Sequence, residues 1–128
     1  MIELFNPPNV SPPFSRYSQG ALATGSLRWL HVSGQVGVRP DGGSLSGIEA
    51  QMHQAWDNLL GVLAGAGMTA DHLVKVNVFL TRAQDVGIYR EIRDQRLEGR
   101  APASTLVIVA GLARPELLVE IEAIAAAP

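Results

Sequence analysis

The chain is predicted to fold as an α+β sandwich of order β-β-α-β-α-β-β, with both helices on one face of a largely apolar sheet. Three observations carry this prediction. Two stretches repeat apolar residues every three to four positions, and several shorter runs are dense in Val, Ile, Leu and Ala or alternate apolar with polar residues. Of 128 residues, 47% are hydrophobic while only 17% are charged and 5% aromatic. That length fits one domain, residues 1–128, with a single core. A domain of this size buries roughly two-thirds of the surface its unfolded chain exposes, so an apolar surplus with few charges points to self-association. Two helices cover one sheet face and leave the other for that contact.

Taken in order, Asn6 to Arg16 is Pro-rich and reads as extended coil leading into a patterned segment. Ser18 to Thr24 and Arg28 to Ser33, separated by Gly25-Ser26, suggest a hairpin, and Arg39-Pro40-Asp41-Gly42-Gly43 is dense turn chemistry that closes it off. Ser46 and Glu49 are spaced as a capping box, and Ile48, Met52, Ala55, Leu59, Leu63 and Ala66 continue as a helical stripe that Gly65 and Gly67 should end. His72 to Leu80 reads as a central strand, with Val74, Val76, Val78 and Leu80 on one face and Leu73, Lys75, Asn77 and Phe79 on the other. A second helix is expected from about Ala83 to Glu98, its apolar side marked by Val86, Tyr89, Ile92 and Leu97 and its outer face rich in Arg. Gly99 ends it, and two strands follow, Ser104 to Ala110 and Leu117 to Ala125.

Several function classes fall away on composition. With no Cys there is no disulfide scaffold, thiolate metal site or Cys nucleophile, which fits a cytoplasmic protein. No charged region leads into an apolar signal stretch and no run is long enough for a membrane span. Ten basic residues stand against twelve acidic ones with no basic block, so neither nucleic acid nor membrane is an expected partner. Asn9-Val10-Ser11 matches a glycosylation sequon, read here as a chance match in a loop. His31, His53 and His72 lack metal-ligand spacing, and no phosphate loop, GxSxG elbow or HExxH occurs, so no metal site is expected.

Glu120 and Glu122 are the informative acids. Two apart in Leu117-Leu118-Val119-Glu120-Ile121-Glu122-Ala123-Ile124, they share one strand face amid apolar residues. Two readings stand side by side: a solvent-exposed face, or a carboxylate in an apolar cleft that exchanges a proton with water.

Five segments then carry a resemblance: Arg16-Tyr17-Ser18-Gln19-Gly20, Val32-Ser33-Gly34-Gln35-Val36, Leu73 to Leu80, Pro102-Ala103-Ser104-Thr105 and Val119 to Ala125. In this order and spacing they resemble the Rid family, also called YjgF/YER057c/UK114, nearly end to end. The resemblance implies a chorismate-mutase-like fold and a homotrimer whose sheets form a central barrel, with small-molecule clefts between subunits. It also implies cofactor-free hydrolysis of reactive enamines and imines to carbonyl compounds and ammonia.

Carried over position by position, Tyr17 matches the family's cleft tyrosine, Ser33 its hydroxyl in a Ser-Gly-Gln turn, and Glu120 the carboxylate that positions the attacking water. Ser104 and Thr105 fall in the Pro-Ala-x-Ser/Thr motif, and there the chain departs. Deaminating members carry at 104 an arginine that grips the substrate carboxylate, and a serine offers no positive fork. Affinity for an anionic 2-imino acid should fall unless another cation reaches in. Arg90 and Arg100 are candidates, with solvated surface arginines as the competing reading. The expectation is a small-molecule hydrolase acting on C=N bonds, with classical 2-imino acid deamination in doubt. The alternative is a non-catalytic protein holding a small metabolite in the same cleft. Ribonuclease action, implied by an older family name, fits poorly with a pI near 5.9.

Overall fold

The computed structural model describes residues 1–128. In chain order the elements are β1 (Ile2–Phe5), β2 (Gly20–Ala23), β3 (Arg28–Val36), α1 (Ile48–Gly65), β4 (Leu73–Leu80), α2 (Val86–Arg96), β5 (Ala103–Ile108) and β6 (Val119–Ala127). The four-stranded sheet has the order β3-β6-β4-β5, and β1 and β2 form a separate two-stranded sheet. β6 runs antiparallel to both β3 and β4, whereas β4 and β5 are parallel. A parallel pair needs a crossover, and α2 supplies it. The α+β architecture is the expected one, with an additional strand at the start.

The expected hairpin does not form. β2 pairs with β1, in the register Ile2 with Ala23 through Phe5 with Gly20, and β3 pairs with β6 instead. Gly25 takes φ 99° and turns the chain out of β2, so β3 joins a different sheet. Residues just before β2 lie along the start of β5: Ser18 bridges Ala103, its N–H donates to the Pro102 carbonyl (3.3 Å) and its Oγ to the Ala101 carbonyl (2.6 Å).

The capping box also fails. The chain enters α1 through Gly47 at φ 87°, a conformation that favours glycine, and no side chain caps the helix. The start lies one residue beyond the one predicted, so Ser46 and Glu49 miss the capping positions. A capping box occurs instead at the 3₁₀ turn before β4, where the Thr69 N–H donates to His72 Nδ1 (2.9 Å) and Thr69 Oγ1 accepts from the Asp71 N–H (3.3 Å).

α1 buries Met52, Ala55, Leu59 and Leu63 of the predicted stripe, and also Gln51 and Trp56, against β3 and β6, whereas Ile48 and Ala66 at the ends of the stripe are only part-buried. α2 buries Tyr89 and Ile92 as expected, but also Arg93, so the arginines do not all lie on its outer face. Together with Val32, Val76, Val78, Leu80, Val119, Ile121, Ala123 and Ala125 these apolar side chains form one core. A register shift between Leu73 and Lys75 puts Leu73, rather than Val74, into that core.

The opposite face of the sheet carries no helix. It presents Lys75, Asn77 and Phe79 from β4 and Glu120, Glu122 and Ile124 from β6, all only part-buried. Trp29 and Val107, on this face, and Ile108 at the edge are 52%, 41% and 45% exposed. No helix of the chain is long and apolar enough to cross a membrane.

Candidate functional site

A cavity of about 310 Å³ opens between α2, the first half of β5 and the extended segment before β2; Phe14, Ser15, Tyr17, Tyr89, Arg90, Arg93, Ser104, Thr105 and Leu106 line it. The contacts of Ser18 with Ala101, Pro102 and Ala103 bring Tyr17 beside Ser104 across 87 positions of sequence. Tyr17 Oη accepts a hydrogen bond from the Phe14 N–H (3.3 Å), which holds the ring against the segment's own turn. Ser104 is in register with Val76 and so faces the helices, whereas Thr105 Oγ1 accepts from Lys75 Nζ (2.8 Å) on the other face. No acidic residue lines the cavity, but two arginines and five hydroxyl-bearing residues do.

Two of the lining residues are buried and incompletely partnered. Tyr89 is 1% exposed and its hydroxyl has no hydrogen-bond partner; burial pushes the phenol well above its ordinary value of 10.0, against the opposing pull of Arg93, so it remains a donor. Arg93 is 5% exposed and its guanidinium carbon lies 5.6 Å from the centre of the Tyr89 ring. Its Nε donates to Asp94 Oδ1 (3.0 Å) and its Nη1 to Ser15 Oγ (3.4 Å). Nη2 lies 3.0 Å from the same Asp94 oxygen without the alignment of a hydrogen bond.

Glu120 stands elsewhere. It is in register with Val36 on β3 and Phe79 on β4, on the helix-free face. The β3–β6 ladder shifts register between Val32 and Gln35, and this bulge contains Ser33 and Gly34. A Cβ on Gly34 would lie 2.3 Å from Glu120 Oε2, so the carboxylate packs directly on a backbone that has no side chain. Such bulges re-aim side chains beside functional sites. Glu122 accepts a hydrogen bond from Asn77 Nδ2 (3.1 Å), whereas no protein group donates to the Glu120 side chain. Ser33 is exposed, and its carbonyl accepts from Gln35 Nε2 (3.0 Å).

Register also fixes how the two groups relate. Glu120, Phe79 and Val107 are paired across three strands and share the open face. Alternation then puts Ser104 on the opposite face. Within one chain, Tyr17, Arg90, Ser104 and Thr105 come together, as do Ser33 and Glu120, but the two groups do not meet. Arg100 joins neither: it pairs with Asp71 and Glu98 and lines a separate groove with Ile2, Leu4 and Pro102. Arg90 is exposed and lines the cavity. The sequence reading missed Arg93, although it lies four residues after Tyr89 and therefore on the same buried stripe. The three histidines are dispersed: His31 on the open face, His53 beside Arg96 (3.2 Å) and His72 in its cap.

Fold and site together define an α+β protein with a basic cavity lined by hydroxyl-bearing residues and a free carboxylate on an open sheet face. Residues 9–127 match the family described as Endoribonuclease L-PSP. The 2-iminobutanoate/2-iminopropanoate deaminase of Rattus norvegicus is 37% identical over 111 residues, 85% of this chain and 78% of that one. A Rid-family protein of unknown function from Yersinia pestis superposes with a TM-score of 0.87 at 31% identity, covering 97% of each chain. The RidA of an Antarctic Psychrobacter superposes with a TM-score of 0.73 at 29% identity, covering 96% of this chain and 98% of that one. The chain belongs to the Rid family, in which relatives bear the name of imine deaminases.

Proposed function

We propose that this protein hydrolyses reactive enamines and imines in a cleft between copies of itself, without a cofactor, as a homotrimer in a reducing cytoplasmic compartment. The observation that carries this reading is the Glu120 carboxylate, seated on Gly34 at a bulge and free of any protein donor. Similarity to proteins named imine deaminases supports the reaction class. The opposite faces occupied by Glu120 and Ser104 support the assembly, because a second copy laid on the open face would bring one chain's carboxylate to another's cavity. The exposed Trp29, Val107 and Ile108 supply apolar surface for that contact.

In the reaction, an enamine first takes a proton at carbon to become the imine. Glu120 removes a proton from water as the oxygen adds to the imine carbon and the C=N π electrons move to nitrogen. Glu120 passes that proton to nitrogen to give the carbinolamine, then takes the proton of its hydroxyl and delivers it to the amine, so that the C–N bond breaks as C=O forms and carbonyl product and ammonia leave. The imine carbon is already electrophilic, so positioning and proton transfer suffice. Tyr17, Ser33, Ser104, Thr105 and Arg90 line the cleft as polar contacts to substrate. Arg100, held by Asp71 and Glu98, is left out of this assignment.

The test follows the loss of an imine generated in situ from 2-aminoacrylate. Wild type is expected to accelerate it, and Glu120→Gln to lower the rate by about 100-fold or more, the usual contribution of a general base. If no imine, neutral or anionic, is turned over, the protein is instead a metabolite-binding member that uses the same cleft.

A further inference from the structure

Residues 6–19, between β1 and β2, contain four prolines and form no helix or named strand, so their course depends on what holds them. The base of this segment is tied to itself: the Gln19 N–H donates to Asn6 Oδ1 (2.7 Å) and Gln19 Nε2 to the Ser11 carbonyl (2.8 Å). Its later part carries Phe14, Ser15 and Tyr17 to the cavity. Ser18 is fastened to Ala101 and Pro102, just before β5. Residues 12–17 make two polar contacts with another element, and both end on α2. Arg93 Nη1 donates to Ser15 Oγ (3.4 Å), and Arg16 Nε lies 3.9 Å from Asp94 Oδ2. The two contacts are coupled, because Arg93 Nε donates to Asp94 Oδ1 (3.0 Å).

Arg93 itself is 5% exposed, its Nη2 is enclosed without a hydrogen bond, and it stacks on the ring of Tyr89, whose hydroxyl is enclosed as well. Neither atom is open to a ligand. An exposed pair such as Arg16 and Asp94 holds little by itself. A desolvated guanidinium differs, since packing fixes its geometry and removing an acceptor leaves a buried charge uncompensated. An apolar side chain would also fill the space beside Tyr89, but it could not tie Ser15 to the helix.

We infer that Arg93 is a positioning residue for Tyr17. With Asp94 it clamps Ser15 and Arg16 to α2 on one side of the cavity, while Ser18 fastens the chain to the start of β5 on the other, and Tyr17 stands between the two anchors. Tyr17 Oη accepts from the Phe14 N–H (3.3 Å), so the hydroxyl moves with this segment. Arg93 touches no substrate and takes no part in proton transfer; it acts through the placement of the Tyr17 ring. The inference rests on the cavity's being the substrate site proposed above.

The chain has two tyrosines, Tyr17 and Tyr89, so labelling the full chain with fluorotyrosine gives two fluorine resonances, which Tyr17→Phe assigns. With no ligand added, Ser15→Ala and Arg93→Met should shift or broaden the Tyr17 resonance. Asp57→Asn, which weakens the pair with Arg96 on the same helix, should leave it in place. Arg93→Met fills the same space, so its melting temperature should stay within a few degrees of wild type; Ser15→Ala leaves α2 untouched and carries the test should Arg93→Met not fold. With an imine generated in situ, Arg93→Met and Tyr17→Phe should each lower kcat/KM about 10-fold, and the double variant should fall no further, since both act on one ring. A Tyr17 resonance that stays in place in Ser15→Ala, or moves equally in Asp57→Asn, overturns the inference, as does an additive loss in the double variant. The expected resonance changes in a protein that turns over no imine would remove the hydrolase reading and leave the clamp standing. Turnover by wild type with additive losses in the double variant would do the reverse.

Discussion

At the residue scale, chemistry is concentrated in a few side chains whose surroundings differ sharply. Glu120 and Glu122 are two residues apart on one face, yet Asn77 engages one and none of the protein's donors engages the other. The sequence placed both acids on one face of a strand; it offered no way to see which would be left free, because that depends on Asn77 across the ladder and on Gly34 across the bulge. Arg93 was hidden for a different reason. Arginine is rarely buried, so periodicity that pointed inward yielded to composition that pointed outward. Tyr89 gives a pH-dependent consequence. Burial raises its proton affinity above the ordinary 10.0, so above about pH 10 the unfolded chain releases a proton that the folded chain keeps. Stability should therefore fall as pH rises, with a slope approaching about 1.4 kcal/mol per unit from this group. Urea unfolding between about pH 10 and 12 should show wild type losing stability faster than Tyr89→Phe. Parallel profiles would contradict the assignment.

Among the elements, the strands and helices with strong periodicity were legible. α1, β4, α2, β5 and β6 lie where the apolar spacing placed them, to within a few residues. The partners of the early strands were not. Ser18 to Thr24 satisfies the requirements of a hairpin strand whether it pairs forward or back, and only long-range contacts choose; here it pairs with Ile2–Phe5 and leans on β5 through Ser18. That choice delivers Tyr17 to the cavity beside Ser104. The β3 bulge is likewise invisible in a pattern of alternation, yet it sets the position of Gly34 against Glu120. Gly34→Ala should push the carboxylate aside, because the added methyl would come within 2.3 Å of Oε2. The obstacle is the mobile end of a side chain, so the melting temperature should change by only a few degrees while imine hydrolysis drops about 10-fold or more. An unchanged rate would show that the seat of Glu120 on Gly34 is irrelevant to turnover.

For the molecule as a whole, the apolar surplus read from composition has a location. One sheet face is covered by α1 and α2, and the other carries part-buried Phe79 and Ile124 beside Glu120, with Trp29 largely exposed. The same topology separates Glu120 from Ser104 by putting them on opposite faces, so the proposed site exists only where two chains meet. This is the central claim, and mixing two inactive variants tests it most directly. Glu120→Gln lacks the carboxylate and Ser104→Asp lacks a usable cavity. Refolded together in equal amounts, they should form mixed assemblies in which about a quarter of the clefts draw an intact cavity from one chain and an intact Glu120 from its neighbour, restoring about a quarter of wild-type imine hydrolysis. If mixed assemblies of the two variants, verified by mass, remain as inactive as either alone, the site does not span two chains and the account is wrong.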